Sequence, residues 1–166
     1  MSTVSDVSAA FETTLVMLKP DAVHRRLVGK ILARFEEKGL QLVGLKMVVL
    51  PREVVEEHYA VHRGKDFYEP LVRFMSEKPL VLLALRGKDA VRIVRNLVGA
   101  TFGSQAAPGT IRGDYAVSNR FNLVHAADSP QTAARELALF FKPGEVIDYK
   151  CSDLGWLYDL STGSVV

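Results

Sequence analysis
Pro79-Leu80-Val81-Leu82-Leu83-Ala84-Leu85 is a seven-residue stretch with no charged side chain, entered through a proline and left through Gly87. It is short enough for a strand, and strands of this kind without polar alternation lie inside a sheet rather than at its edge. The run therefore predicts a central strand, and the rest of the chain can be placed around it. Upstream, Thr13 to Leu18 (TTLVML) is a second short apolar, β-branched run, and Leu40 to Leu50 (LQLVGLKMVVL) a third. Downstream, Tyr115 to His125 is a less regular fourth strand.

Helical patterns fill the gaps. Pro20-Asp21 suits a first helical turn, because proline needs no hydrogen-bond acceptor there and aspartate complements the helix dipole. Val23, Leu27, Val28, Ile31, Leu32 and Phe35 follow at helical spacing, and Gly39 caps the end. Pro51 opens another helix carrying Val54, Val55, His58 and Tyr59, and a further piece runs from Phe67 to Met75. Lys88 to Val98 keeps Val91, Val94, Leu97 and Val98 on one face, and Ser129-Pro130 starts a helix with Ala133, Leu137, Phe140 and Phe141 inward. The order is strand, helix, strand, strand, helix, strand, helix. Two interleaved crossovers of that order give the ferredoxin-like βαββαβ arrangement, an α+β fold whose four-stranded antiparallel sheet carries helices on one face. Lys142 to Val166 reads as an irregular C-terminal extension.

The 166 residues suit one domain with a sizeable core, expected over 13–166, after a flexible N-terminal arm over 1–12. Twenty-one basic residues against 19 acidic ones leave a net charge of +2, which argues against a nucleic-acid-binding surface but permits a local basic pocket. Cys151 is the single cysteine, so no intrachain disulfide or cysteine zinc site can form. No apolar run is long enough to span a bilayer, and residues 1–12 lack the basic and apolar regions of a secretory signal, so a cytoplasmic protein is expected.

Two stretches carry chemistry. Gly99 to Asp114 is longer than an ordinary connection and ends in Pro108-Gly109-Thr110-Ile111-Arg112-Gly113-Asp114, a turn-forming segment with an arginine. Shortly after it comes Asn122-Leu123-Val124-His125. Free imidazole is a nucleophile near neutral pH, and a nucleophile beside a phosphate-binding cation is what phosphoryl transfer needs. Taken alone, a histidine after an apolar run is more often a packing residue.

These stretches, with Lys19-Pro20-Asp21, Arg34-Phe35-Glu36, Lys38-Gly39, Leu42-Val43-Gly44-Leu45-Lys46, His58-Tyr59 and Gly99 in the same order, resemble the nucleoside diphosphate kinase family over about Glu12 to Tyr158. The resemblance implies a ping-pong transfer of the γ-phosphoryl group through a phosphohistidine on His125. It implies that Lys19 contacts the transferring group, that Arg95, Arg112 and Thr101 hold the diphosphate, that Phe67 stacks on the base and that Asn122 bonds the sugar 3′-hydroxyl. Tyr59 and Glu136 would steady the histidine. Mg²⁺ is expected on the nucleotide phosphates, and no Asp/Glu cluster marks a protein metal ligand. The partners implied are nucleoside di- and triphosphates and further copies of the chain, as a hexamer rather than a tetramer. The competing expectation is a non-catalytic ferredoxin-like module binding nucleotide or nucleic acid, which would not need His125, Lys19 and both arginines together. Three departures stand out: Ala127 where relatives carry serine, no proline near Gly103, and the tail after Tyr158.

Overall fold
The computed structural model describes residues 10–161 and 165–166. Residues 1–9 of the expected arm lie outside the described residues, and Glu12 belongs to the domain. It opens strand β1 (Glu12–Leu18) opposite Gly87, and its carboxylate accepts from the Val91 N–H. With β2 (Gln41–Val48), β3 (Leu80–Gly87) and β4 (Val124–Ala126), β1 forms one antiparallel sheet in the order β2-β3-β1-β4. This is the expected βαββαβ topology, with the apolar run 80–85 in an interior strand.

One expectation fails on the layers. Leu15 and Met17 point to one face of β1, Val16 and Leu18 to the other, and all four are fully buried. Val16 and Leu18 pack with α2 (Val28–Glu37) and α5 (Ala90–Val98) through Ile31, Phe35, Val94 and Val98. Leu15 and Met17 pack with α3 (Arg52–His58), α4 (Tyr68–Ser76) and α7 (Pro130–Phe140) through Val55, Val72, Met75 and Phe140. Helices therefore cover both faces, as the lack of polar alternation in β1 and β3 requires.

The first helical stretch is also divided. α1 (Pro20–His24) ends where Arg26 turns left-handed (φ 58°), with the Leu27 N–H on the Ala22 carbonyl and the Arg26 N–H on Val23. Gly39 (φ 89°) closes α2 by the same pair of bonds, Leu40 to Phe35 and Gly39 to Glu36. Both are Schellman endings, but only glycine announces one in sequence.

The expected strand from Tyr115 to His125 shrinks to Val124–Ala126. Tyr115 ends a short helix α6 (Ile111–Tyr115), and Ser118 Oγ accepts from the N–H groups of Arg120 and Phe121, which turns the chain. Leu123 then sits at φ 69°, with the Val124 N–H on the Asn122 carbonyl at 2.8 Å. That is a three-residue γ-turn of the strained hand, incompatible with a ladder. The C-terminal segment runs back along β2: the Ile147 N–H donates to Val43, Tyr149 Oη to the Leu42 carbonyl, and Leu157, in α8 (Leu154–Leu157), covers Gly39. Beyond Tyr158, Asp159 and Val166 exchange backbone hydrogen bonds.

Candidate active site
The site lies where β1 and β4 end beside the γ-turn. Leu123 is clamped from both sides: its carbonyl accepts from the Lys19 N–H and its N–H donates to Asp21 Oδ2. Asp21, read in sequence as a helix-dipole residue, thus ties the start of α1 to the turn that leads to His125. A left-handed turn at a bulky residue costs about 1–3 kcal/mol and survives only where its surroundings over-determine it.

Arg112 does much of that determining. Thr110 caps α6 by accepting from the Gly113 N–H, and a Cβ on Gly113 would overlap the Ala107 carbonyl, so the PGTIRGD turn closes only with glycine there. The closed turn sends Arg112 inward. Its Nε donates to Asn122 O (3.1 Å), Nη2 to Val124 O (2.6 Å), and Nη1 to the carbonyls of Gly99 (3.2 Å) and Ala100 (3.3 Å). A guanidinium has five N–H groups. Four are used here, so Arg112 is first a clamp between two loops, with one N–H and its charge left for an anion.

Asn122 and Lys19 complete this side. Lys19 Nζ donates to Asn122 Oδ1 (2.7 Å), and Asn122 Nδ2 donates to the Thr101 carbonyl (2.8 Å). Thr101 itself is exposed, as is Arg95 on α5. The three cations press on one another. Burial, then the charge of Arg112, lowers the Lys19 ammonium to about 8. Burial, then Arg95, lowers Arg112 to about 10. Mutual repulsion among partly buried cations is relieved by a polyanion, and a net charge of only +2 gave no sign of it.

His125 stands on β4 with 22% of its side chain exposed. Its Nε2 lies 3.0 and 3.1 Å from the two oxygens of Glu136. Glu136 is 2% exposed and shares the inner face of α7 with Ala133 and Phe140. A carboxylate so placed accepts, so Nε2 carries the proton and Nδ1 keeps its lone pair. Behind them, the His58 ring meets His125 edge-on at 4.7 Å, with its Nδ1 3.7 Å from Glu136 Oε1. His58 stays neutral: burial, then the charges of His125, Arg135, Lys19 and His62, lower it to about 3. Tyr59, buried with its hydroxyl unpaired among the described residues, is kept a phenol by burial and then by Glu136. From there the rings of His62 and Phe67 lead outward at spacings of 6.2 and 5.4 Å, and Phe67 is 42% exposed.

The structure thus brings His125, Glu136 and Tyr59 into one cluster, and Lys19, Arg112, Asn122 and Thr101 into another. Arg95 joins through its charge on Arg112, and Phe67 through the row of rings. Sequence reasoning assigned no role to His58 or to the clamp by Asp21. His58 had a signal, a titratable ring on the stripe with Val54 and Val55; Asp21 had none. Ala127 is buried beside Val91 and Ala133 in a small apolar cluster. No helix among the described residues is long and apolar enough to cross a membrane.

An α+β domain with a carboxylate-oriented imidazole at its surface and cations beside it belongs to the class of proteins built to handle phosphoryl groups. The nucleoside diphosphate kinase family model matches residues 12–146. The chain is 48% identical over 148 residues to a nucleoside diphosphate kinase of Archaeoglobus fulgidus, covering 89% of this chain and 98% of that one. Its fold is similar to that of the Halobacterium salinarum nucleoside diphosphate kinase solved with CDP, at TM-score 0.87 and 44% identity over 89% of this chain and 99% of that one. The Borrelia burgdorferi nucleoside-diphosphate kinase, solved as a transition-state mimic with vanadate and ADP, gives TM-score 0.82 at 32% identity over 88% and 96% of the two chains. The chain belongs to the nucleoside diphosphate kinase family.

Proposed function
We propose that the chain transfers the γ-phosphoryl group of a nucleoside triphosphate to a nucleoside diphosphate through a phosphohistidine on His125. The observation that carries this reading is the Nε2 contact to Glu136, which supports a tautomer with the Nδ1 lone pair free to attack. The Nδ1 lone pair forms the N–P bond as the bond from the γ-phosphorus to its bridging oxygen breaks, and that electron pair leaves with the diphosphate. The imidazole becomes cationic, and Glu136 faces the Nε2–H that shares the charge. In the second half the acceptor's terminal phosphate oxygen takes the phosphoryl group and the N–P pair returns to Nδ1. Lys19 serves the transferring group, where charge builds in the transition state, and Arg95, Thr101 and the remaining Arg112 N–H serve the diphosphate.

Asn122 keeps one N–H and one lone pair beyond its contacts to Lys19 and Thr101, enough for a sugar hydroxyl. Phe67 offers an exposed ring face, and stacking tolerates every base. The clustered ionisable group among the described residues is histidine-rich, whereas Mg²⁺ takes oxygen ligands, so Mg²⁺ is read as held through nucleotide phosphates and water. When bound it neutralises charge on the departing diphosphate.

The chain is read as a cytoplasmic homo-oligomer. Strand β2 lies at the sheet edge and exposes Leu45, Met47 and Val49 with it, and Phe102, Val117 and Trp156 are exposed elsewhere. Exposed apolar side chains of this kind suit association into the expected hexamer, and light scattering reads its mass.

The test of the reaction is incubation with γ-labelled ATP. Acid-labile label should appear on the chain, be chased by any nucleoside diphosphate, and be absent in His125→Ala. A folded His125→Ala that keeps full turnover, or a wild-type chain that binds nucleotide but never takes label, overturns the proposal; the latter outcome favours the binding module.

A further inference from the structure
We propose that His58, His125 and Glu136 form a binding site for a divalent transition ion, zinc being the best match, and that the ion blocks phosphorylation of His125. The three side chains each offer a ligand atom, and these atoms lie within 4.8 Å of one another. Glu136 Oε1 is 3.0 Å from His125 Nε2 and 3.7 Å from His58 Nδ1. Two ligands of one tetrahedral zinc, each about 2.0–2.2 Å from it, sit roughly 3.3–3.6 Å apart, so the two observed spacings bracket that value. The His58 and His125 ligand atoms also lie within that 4.8 Å, and the His125 side chain, 22% exposed, has room to adjust. His58 supplies the independent observation. It is 5% exposed, and both its ring nitrogens lack a hydrogen-bond partner among the described residues. A buried imidazole with nothing to bond is costly unless something occupies its lone pair.

The donor set selects the ion. Two imidazoles and one carboxylate suit Zn²⁺, Cu²⁺ or Ni²⁺, whereas Mg²⁺ requires oxygen ligands. A fourth position on such an ion would be filled by water. Blocking follows from proton placement. An ion on Nε2 displaces the proton that Glu136 now accepts, and a neutral imidazole then carries it on Nδ1. The lone pair that would attack phosphorus is gone, with no net proton released. The blocking half of the proposal rests on the phosphohistidine reading; the binding half does not.

The test uses the full chain in a large excess of Mg²⁺. Calorimetry should find one Zn²⁺ per chain. Co²⁺ used as a probe should give the visible bands of four-coordinate nitrogen and oxygen ligation without a thiolate band. His58→Asn should weaken Zn²⁺ at least tenfold, and His24→Asn, at the exposed end of α1, should not. Nitrogen-15 NMR of the wild-type histidines should show the His125 proton moving from Nε2 to Nδ1 on adding Zn²⁺. That measurement decides the matter even where His58→Asn fails to fold. Unchanged affinity in a folded His58→Asn, or a His125 proton that stays on Nε2 with the ion bound, overturns the site. Zinc-loaded chain should take label from ATP at least tenfold more slowly, with recovery on chelation; a full rate on loaded chain overturns the blocking. A metal-free chain that takes no label at all refutes the kinase reading instead, and the zinc site is still judged by calorimetry and NMR.

Discussion

Replacing Glu136 by glutamine tests the orientation of His125 most directly. The carboxylate is 2% exposed, and its oxygens lie 3.0 and 3.1 Å from Nε2, so its charge is spent on this ring and not on solvent. A hydrogen bond to a charged group contributes about 1.5–3 kcal/mol and a neutral one about 0.5–1.5 kcal/mol. The change therefore removes roughly 1–2 kcal/mol from the state in which the imidazole becomes cationic, which is about 5- to 30-fold in the rate of phosphoenzyme formation. The loss is larger if the new amide donates to Nε2, because the proton then moves to Nδ1. Stability should change little, since the lower cost of burying a neutral amide offsets the weaker hydrogen bond. Rapid-quench measurement of labelling from Mg-ATP, beside a thermal melt, reads both effects, and histidine NMR reads the tautomer. A labelling rate within twofold of wild type, in a variant with unchanged Tm, would refute the claim that Glu136 sets the nucleophile.

Three other perturbations separate the roles around His125. Lys19 has a folded pKa of about 8 against 10.5 in the unfolded chain, so kcat/KM for nucleoside triphosphate should fall as pH rises through 8 while stability rises over the window from 8 to 10.5, where the unfolded chain holds more protons; Lys19→Arg should remove that alkaline limb, and a pH profile checks it. Arg112→Lys should lower stability by about 2–4 kcal/mol together with ADP affinity, because carbonyls of Gly99, Ala100, Asn122 and Val124 lose donors, whereas Arg95→Ala should weaken ADP but leave Tm unchanged; calorimetry and melts on both variants distinguish clamp from ligand. Phe67→Ala should raise KM by a similar factor, roughly fivefold to thirtyfold, for every common nucleoside diphosphate, as a stacking loss of about 1–2 kcal/mol would; a loss confined to one base would show edge recognition instead.

The topology was legible because it rests on apolar runs, which report burial directly. The same runs held a fact that the one-face reading passed over: Leu80 to Leu85 has no polar position to turn toward water, so its sheet had to be covered twice. What could not be read was backbone that breaks its own rules. Arg26 and Leu123 take left-handed conformations that favour glycine, and no local residue type marks them. Asn122 to His125 looked like the end of a long strand because Leu123 and Val124 form a short apolar run, yet the turn at Leu123 is imposed by Lys19, Asp21 and Arg112 from elsewhere in the chain.

The same distinction explains the site. His125 could be picked out by its motif, but its ring is held by Glu136, whose sequence signal is a carboxylate on the stripe formed by Ala133, Leu137 and Phe140. Arg112 was read as a ligand and proves to spend four donors on the backbone. These roles are connected. Arg112 bonds the carbonyls on both sides of Leu123, and one of those, on Val124, immediately precedes His125. The charge that would meet a phosphate also holds the strained turn that leads into His125. Lys19 does both as well, through Nζ on Asn122 and its backbone N–H on Leu123. An anion bound there draws on the same groups that fix the turn, so ligand binding and the rigidity of residues 122–125 are coupled. Nucleoside diphosphate should therefore slow amide exchange at Leu123 and Val124 more than in the sheet beyond them.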